Sequence, residues 1–115
     1  MLKVKYSLDY LNSISGGDKD FIKDMVQTFL SNVPEELQKM RQLVEKKEWV
    51  SVGSEAHRFA SNLVFFELNK LRDIAVEIEI LGTAQKETSK ISGLLILLDE
   101  GCSLIIKELK NDFSL

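Results

Sequence analysis

The stretch ISGLLILLDEGCSLIIKEL, Ile91 to Leu109, places apolar side chains at Ile91, Leu94, Leu95, Leu98, Cys102, Ile105 and Leu109. Steps of three and four residues put all of them on one face of a helix that turns about 100° per residue. No run of period-two alternation, the mark of a half-buried strand, occurs anywhere in the chain. Thr88 or Ser89 stands ahead of the run as its N-cap.

The same period recurs upstream. Leu71, Ala75, Ile78 and Leu81 mark a helix from about Asn69 to Leu81, with Gly82 as its C-cap and Thr83 to Glu87 as a polar loop. Trp49, Val52, Ala56, Phe59, Leu63 and Phe66 mark another from about Glu48 to Phe66. Before it, Phe21, Ile22, Met25 and Phe29 follow the capping residue Asp18, and Leu37, Met40 and Val44 continue the stripe beyond Pro34. Proline is tolerated in a first turn but kinks or ends a helix interior. Two readings follow: one kinked helix from Asp18 to about Lys46, or two helices meeting near Asn32. A short first helix, Leu8 to Ile14 with Ser7 as N-cap, is broken by Ser15-Gly16-Gly17. Amphipathic segments joined by short connections pack most economically as an all-α, antiparallel up-down four-helix bundle. The short N-terminal helix caps one end.

Composition narrows the function. The chain has 115 residues, expected to form a single domain over 1–115, with 44% hydrophobic residues to build a core. Its formal net charge is -3, and Lys and Arg form no cluster that would neutralise a phosphate backbone, so no nucleic acid is expected as partner. One cysteine, Cys102, and one histidine, His57, cannot form a disulfide or a zinc site by themselves, so no metal is expected. The start, MLKVKYSLDYL, lacks the apolar run and cleavage site of a secretion signal. The longest apolar run, Leu94 to Leu98, falls far short of the roughly 20 residues that span a bilayer. A cytoplasmic protein without a membrane segment is the expectation.

With Ala56 centred in its helix's buried stripe, His57 falls at the stripe's edge. Gly53, Ser54, Ala60 and Ser61 surround it with short side chains. A glycine inside a helix costs about 1 kcal/mol relative to alanine, so Gly53 serves either close packing or access. General-base catalysis needs an orienting acid, a nucleophile and a cleft, and no second catalytic group accompanies the histidine. A phosphoryl acceptor needs only an accessible, neutral imidazole. Val50 and Val64 flank His57 on the helical wheel. With Gly53, Ser54 and Ala60 they make a candidate docking rim, while Phe65 is expected to tuck beneath the turn at Glu67-Leu68.

Ala56-His57-Arg58-Phe59, in a bundle of this length, resembles the histidine-containing phosphotransfer (HPt) domains of bacterial two-component phosphorelays. Leu11, Gly16-Gly17-Asp18 and Phe21-Ile22 are similar to the family's opening. Met25 to Phe29 with Val33-Pro34 is similar to its second-helix signature, and Trp49, Leu71, Ile78 and Glu79 follow in the family's order. The resemblance implies that a ring nitrogen of His57, usually the one farther from the backbone, carries a phosphoryl group between receiver-domain aspartates. The partners would be receiver domains of response regulators or hybrid sensor kinases. The domain would be a monomeric carrier without independent catalysis or cofactor, the Mg2+ belonging to the receiver. Glu79 would accept a hydrogen bond from the other ring nitrogen. The departures are at positions 60, 61 and 67. Ala60 replaces the family's phosphate-binding lysine, Ser61 a glycine and Glu67 a later glycine. Ser61 and Arg58 are the candidate replacements for the missing phosphate contacts. The alternative is a phosphorylation-independent helical adaptor that binds a receiver or kinase.

Overall fold

The computed structural model describes residues 3–115. Helices α1 (Asp9–Ser15), α2 (Lys19–Glu45), α3 (Trp49–Leu63), α4 (Asn69–Ala84) and α5 (Ile91–Asp112) follow in order, with 3-10 turns at Val64–Phe66 and Thr88–Lys90. No strand occurs among the described residues. Helix α2 packs against α3 and α5, and α4 packs against the same two, which closes the up-down bundle. A 27-residue helix is about 40 Å long, and α2 accordingly sets the 43 Å long axis of the molecule.

Residue chemistry explains the breaks. Asp18 caps α2 by accepting from the amides of Asp20 and Phe21 at 3.0 and 3.2 Å. Gly16 and Gly17, both at positive φ, supply the left-handed turn that ends α1. Of the two readings at Pro34, the single long helix is the one observed. Pro34 is exposed between buried Val33 and Leu37, so the amide donor it lacks is lost on the water side. The N-terminal helix begins one residue later than expected, with Leu8 at its cap and the Ser7 hydroxyl accepting from the Asp9 amide at 3.2 Å.

Two boundaries differ from the sequence expectation. Gly82 does not end α4. The helix runs on to Ala84, and Gln85, at φ 53°, takes the left-handed cap. Neither Thr88 nor Ser89 caps α5 with its side chain; the 3-10 turn Thr88–Lys90 feeds straight into the helix. Gly82 is needed inside α4 because a Cβ there would lie 2.6 Å from the Trp49 carbonyl oxygen and 3.0 Å from the Gly53 amide nitrogen. A Cβ on Gly53 would meet the Thr83 hydroxyl at 2.6 Å and the Thr83 amide nitrogen at 2.9 Å. The two glycines face one another where α3 crosses α4, and their missing side chains let the backbones touch.

The core is filled by the expected stripes. Phe59, Leu63, Phe66, Leu71, Ile78, Leu98, Ile105 and Leu109 are all buried, each contributing roughly 1.5–3 kcal/mol by leaving water. Phe66 meets Phe29 edge-on, ring centroids 4.8 Å apart. Buried Cys102 belongs to this core: burial, with the charges of Asp99 and Glu36, pushes its thiol up to about 12, so it stays protonated and unreactive. Tyr6 and Ser7, ahead of α1, are strapped over the end of the bundle where α3 turns into α4. The Ser7 amide donates to the Phe66 carbonyl at 3.0 Å, and the Tyr6 hydroxyl donates to Asp112. Phe65 is half-buried, with the ring of Tyr10 in α1 at 6.1 Å.

Candidate functional site

His57 stands on α3 with 67% of its side chain exposed. Its Nδ1 lies 2.9 Å from Oε2 of Glu79 on α4. A carboxylate only accepts, so the hydrogen of this contact sits on Nδ1, which in the neutral imidazole leaves the lone pair on Nε2. Glu79 itself is 30% exposed, with its carboxylate held beside the ring by the α3–α4 crossing. The glycine pair therefore does chemical as well as structural work. It brings α4 close enough for a residue 22 positions away to fix an imidazole tautomer. Of the two explanations for Gly53, packing is the one observed.

Around the ring lies a shallow, open depression of about 390 Å³, lined by Gly53, Ser54, His57, Arg58, Glu79 and Thr83. The sequence reading missed Thr83 because a cap at Gly82 would have put it in a loop. Its spacing of four from Glu79 was the available signal. A second concavity, about 650 Å³, is bordered by Lys3, Lys5, Lys70, Leu104 and Glu108 and shares no residue with this one. Among the described residues, no three His, Cys, Asp or Glu side chains gather as a metal site.

The other candidate residues divide. Val50 and Val64 are exposed, at 51% and 40%, and Ser54 is exposed as well. Gly53 and Ala60 are buried, Ala60 at 6%. Gly53 lies against Thr83 and the Glu79 carbonyl of α4 and still borders the depression, whereas Ala60 belongs to the core. The Ser61 hydroxyl donates to the backbone carbonyl of His57 at 3.3 Å. Its proton is thus turned back along the helix, not toward the ring. Arg58 is committed to Glu55, one turn earlier on α3.

Glu55 was not anticipated. It is 8% exposed, yet charged. Lys39 of α2 reaches its Oε1 at 2.8 Å, and Arg58 contacts the same oxygen. Burial pushes this carboxyl up, but the bonds and charges of Lys39 and Arg58 outweigh it and hold it below the ordinary carboxylate value. The Glu55-to-Arg58 spacing was visible as an i,i+3 ion pair; the partner on α2 was not. Glu36, which accepts from Asn62 at 3.5 Å, goes the other way. Burial, reinforced by the Glu55 charge, raises it against the opposing effects of Asn62 and Arg58.

These shifts have opposite signs in the stability profile. Glu55 contributes stability at neutral pH that is lost as pH falls through its lowered folded-state value. Glu36 costs stability once it ionises, so protonating it as pH falls favours the fold. Glu36→Gln is therefore expected to raise the melting temperature at pH 7. The gain should shrink to nothing as pH drops below the ordinary carboxylate range. Thermal melts across pH check this; a gain independent of pH would mean that the charge of Glu36 is not the cause.

The Hpt domain family model matches residues 24–111, a span that runs from α2 to the end of α5 and includes both His57 and Glu79. The chain is an Hpt domain. No curated protein and no solved structure matched it. Hpt domains are histidine phosphotransfer modules of phosphorelays, phosphocarriers that work with receiver or kinase components. No helix of this Hpt domain, among the described residues, is long and apolar enough to cross a membrane. Position 67 has a conformational meaning. Glu67 adopts φ 55° at the end of the 3-10 turn, a left-handed geometry that glycine takes without strain. The Glu67 carboxylate accepts from the Tyr10 amide at 3.4 Å, a contact no glycine would make.

Proposed function

We propose that this Hpt domain carries a phosphoryl group on Nε2 of His57 between aspartates of receiver domains. The observation that carries the reading is the His57–Glu79 pair: an exposed imidazole with Nδ1–H bound to a carboxylate and Nε2 free. The Nε2 lone pair attacks the phosphorus of an aspartyl phosphate. The N–P bond forms as the P–O bond to the aspartate breaks, and the aspartate leaves as a carboxylate. The proton stays on Nδ1, so the ring becomes positive, and the Glu79 carboxylate stabilises that charge where it develops. The return step is the reverse, onto a second aspartate. Magnesium and the acidic pocket belong to the receiver, and this domain contributes the acceptor, without catalysis of its own. Val50, Val64 and Ser54 form the rim that meets the partner, supplying apolar contact beside the ring. A purely adaptor role is less well supported, because it gives the tautomer-fixing carboxylate nothing to do.

The test needs no identified kinase. The folded domain is charged with phosphoramidate and examined for an acid-labile, base-stable phosphoryl group. Phosphorus and nitrogen NMR should place it on Nε2, and receiver domains with Mg2+ should then remove it as phosphoaspartate forms. A folded domain that never becomes charged would overturn the proposal.

Glu79→Ala is expected to slow charging. Losing a hydrogen bond to a group that gains charge costs about 1.5–3 kcal/mol, which is about ten- to a hundredfold in rate. Glu79→Gln keeps an acceptor oxygen and should lose less. Single-turnover time courses check the order; equal rates for all three proteins would remove Glu79 from the mechanism.

A further inference from the structure

A phosphoryl group on Nε2 brings a dianion to a depression whose only lining carboxylate, Glu79, is itself negative. The position that carries lysine in the family's motif is Ala60, buried and neutral. Arg58 is the one cation among the residues lining that depression, and it is one residue from the imidazole. Its guanidinium is turned away, onto Glu55.

Glu55, however, has two cations on one oxygen. Its side chain is 10% exposed, and stranding it without a partner would be costly. Lys39 Nζ lies 2.8 Å from the same Oε1 that Arg58 contacts, so Glu55 remains paired if Arg58 departs. Arg58 is 67% exposed, and its long side chain can swing about the helix without disturbing the core. Lys39, on α2, does not line the depression.

We propose that Arg58 is a releasable cation: Glu55 holds its guanidinium while His57 is bare, and it moves to the phosphoryl oxygens when His57 is charged, with Lys39 left to neutralise Glu55. The inference rests on the phosphocarrier reading above. It makes Arg58 the replacement for the family's lysine, reached by side-chain exchange instead of by helix position. It also assigns a role to Lys39, which touches neither His57 nor the depression. Without Lys39, Glu55 would depend on Arg58 alone and would retain it.

The test is an exchange equilibrium between N-phosphoimidazole and the full domain, read by phosphorus NMR, with folding of each variant checked by thermal melt. Arg58→Ala should shift the equilibrium toward free phosphoimidazole by about two- to fivefold, the range of an exposed ion pair. Lys39→Ala should shift it the same way, but adding Lys39→Ala to Arg58→Ala should change nothing further. In nitrogen-labelled protein, the Arg58 guanidinium signal should move on charging, and move less in Lys39→Ala. An unchanged equilibrium in Arg58→Ala overturns the proposal, as does a Lys39→Ala effect that persists without Arg58. If the wild-type domain never accepts phosphate, the carrier reading itself fails, a result distinct from a charged domain whose Arg58 stays on Glu55.

Discussion

His57→Gln is expected to abolish phosphoryl acceptance completely while leaving the fold intact. The loss should be total because the described surface presents no other imidazole, and Cys102, the single thiol, is sealed in the core with its proton held on. The fold should survive because the ring is two-thirds exposed and α3 is anchored by Val52, Ala56, Phe59 and Leu63, none of which the substitution touches. Exposed substitutions of this kind usually stay within about 0.5 kcal/mol. A glutamine amide can still donate to Glu79, so the α3–α4 contact keeps its polar partner. The measurement is phosphoamidate stoichiometry by mass spectrometry beside a thermal melt. Residual label in a folded His57→Gln protein would show that another group is the acceptor.

Gly82→Val is expected to damage both stability and chemistry. An alanine Cβ at this position already lies 2.6 Å from the Trp49 carbonyl oxygen, and the nearby Gly53 atoms are also backbone. Backbone cannot rotate aside as a flexible side chain can, so α3 and α4 must separate. Valine adds two methyl groups to that clash. Overpacking of this severity costs about 3 kcal/mol, roughly 10 °C or more in melting temperature for a domain of this size. Separation also withdraws Glu79 from Nδ1, so the molecules that remain folded should charge about as slowly as Glu79→Ala. Nitrogen NMR of the imidazole adds a readout that stability alone does not move, since the fixed Nδ1–H tautomer should give way to a mixture. Gly93→Ala is the control. A Cβ there meets nothing within 4 Å, and the residue lies inside α5. It should stabilise by about 0.4–1 kcal/mol and leave charging unchanged. A Gly82→Val protein that melts like the wild type and keeps the tautomer would disprove the crossing as the device that positions Glu79.

The changed expectations that bear on the site turned on contacts between helices. Gly82 and Thr83 look like a cap and a loop when α4 is read alone. They are helical because α3 supplies a surface that only a bare backbone can approach. Ala60 and Gly53 lie among the small residues near His57, and one helix's wheel could not tell whether that face met solvent or α4. Glu55 reads as a surface carboxylate until Lys39, sixteen positions earlier on another helix, is brought against it. By contrast, Val50, Val64 and Ser54 are exposed where the wheel put them. Nothing beyond the helix's own period was needed for those three.

The amino-acid order alone determined the helices, their inward stripes and the placing of one histidine at a stripe's edge. Hydrophobic period and capping act over a single turn, and so are written locally. Only the tertiary structure decided that Glu79 reaches Nδ1 of that histidine, which cation stands near it and why two glycines sit where helices would prefer alanine. Those features depend on how closely α3 approaches α4 and α2. That distance is set jointly by side chains far apart in the chain, and no single segment encodes it.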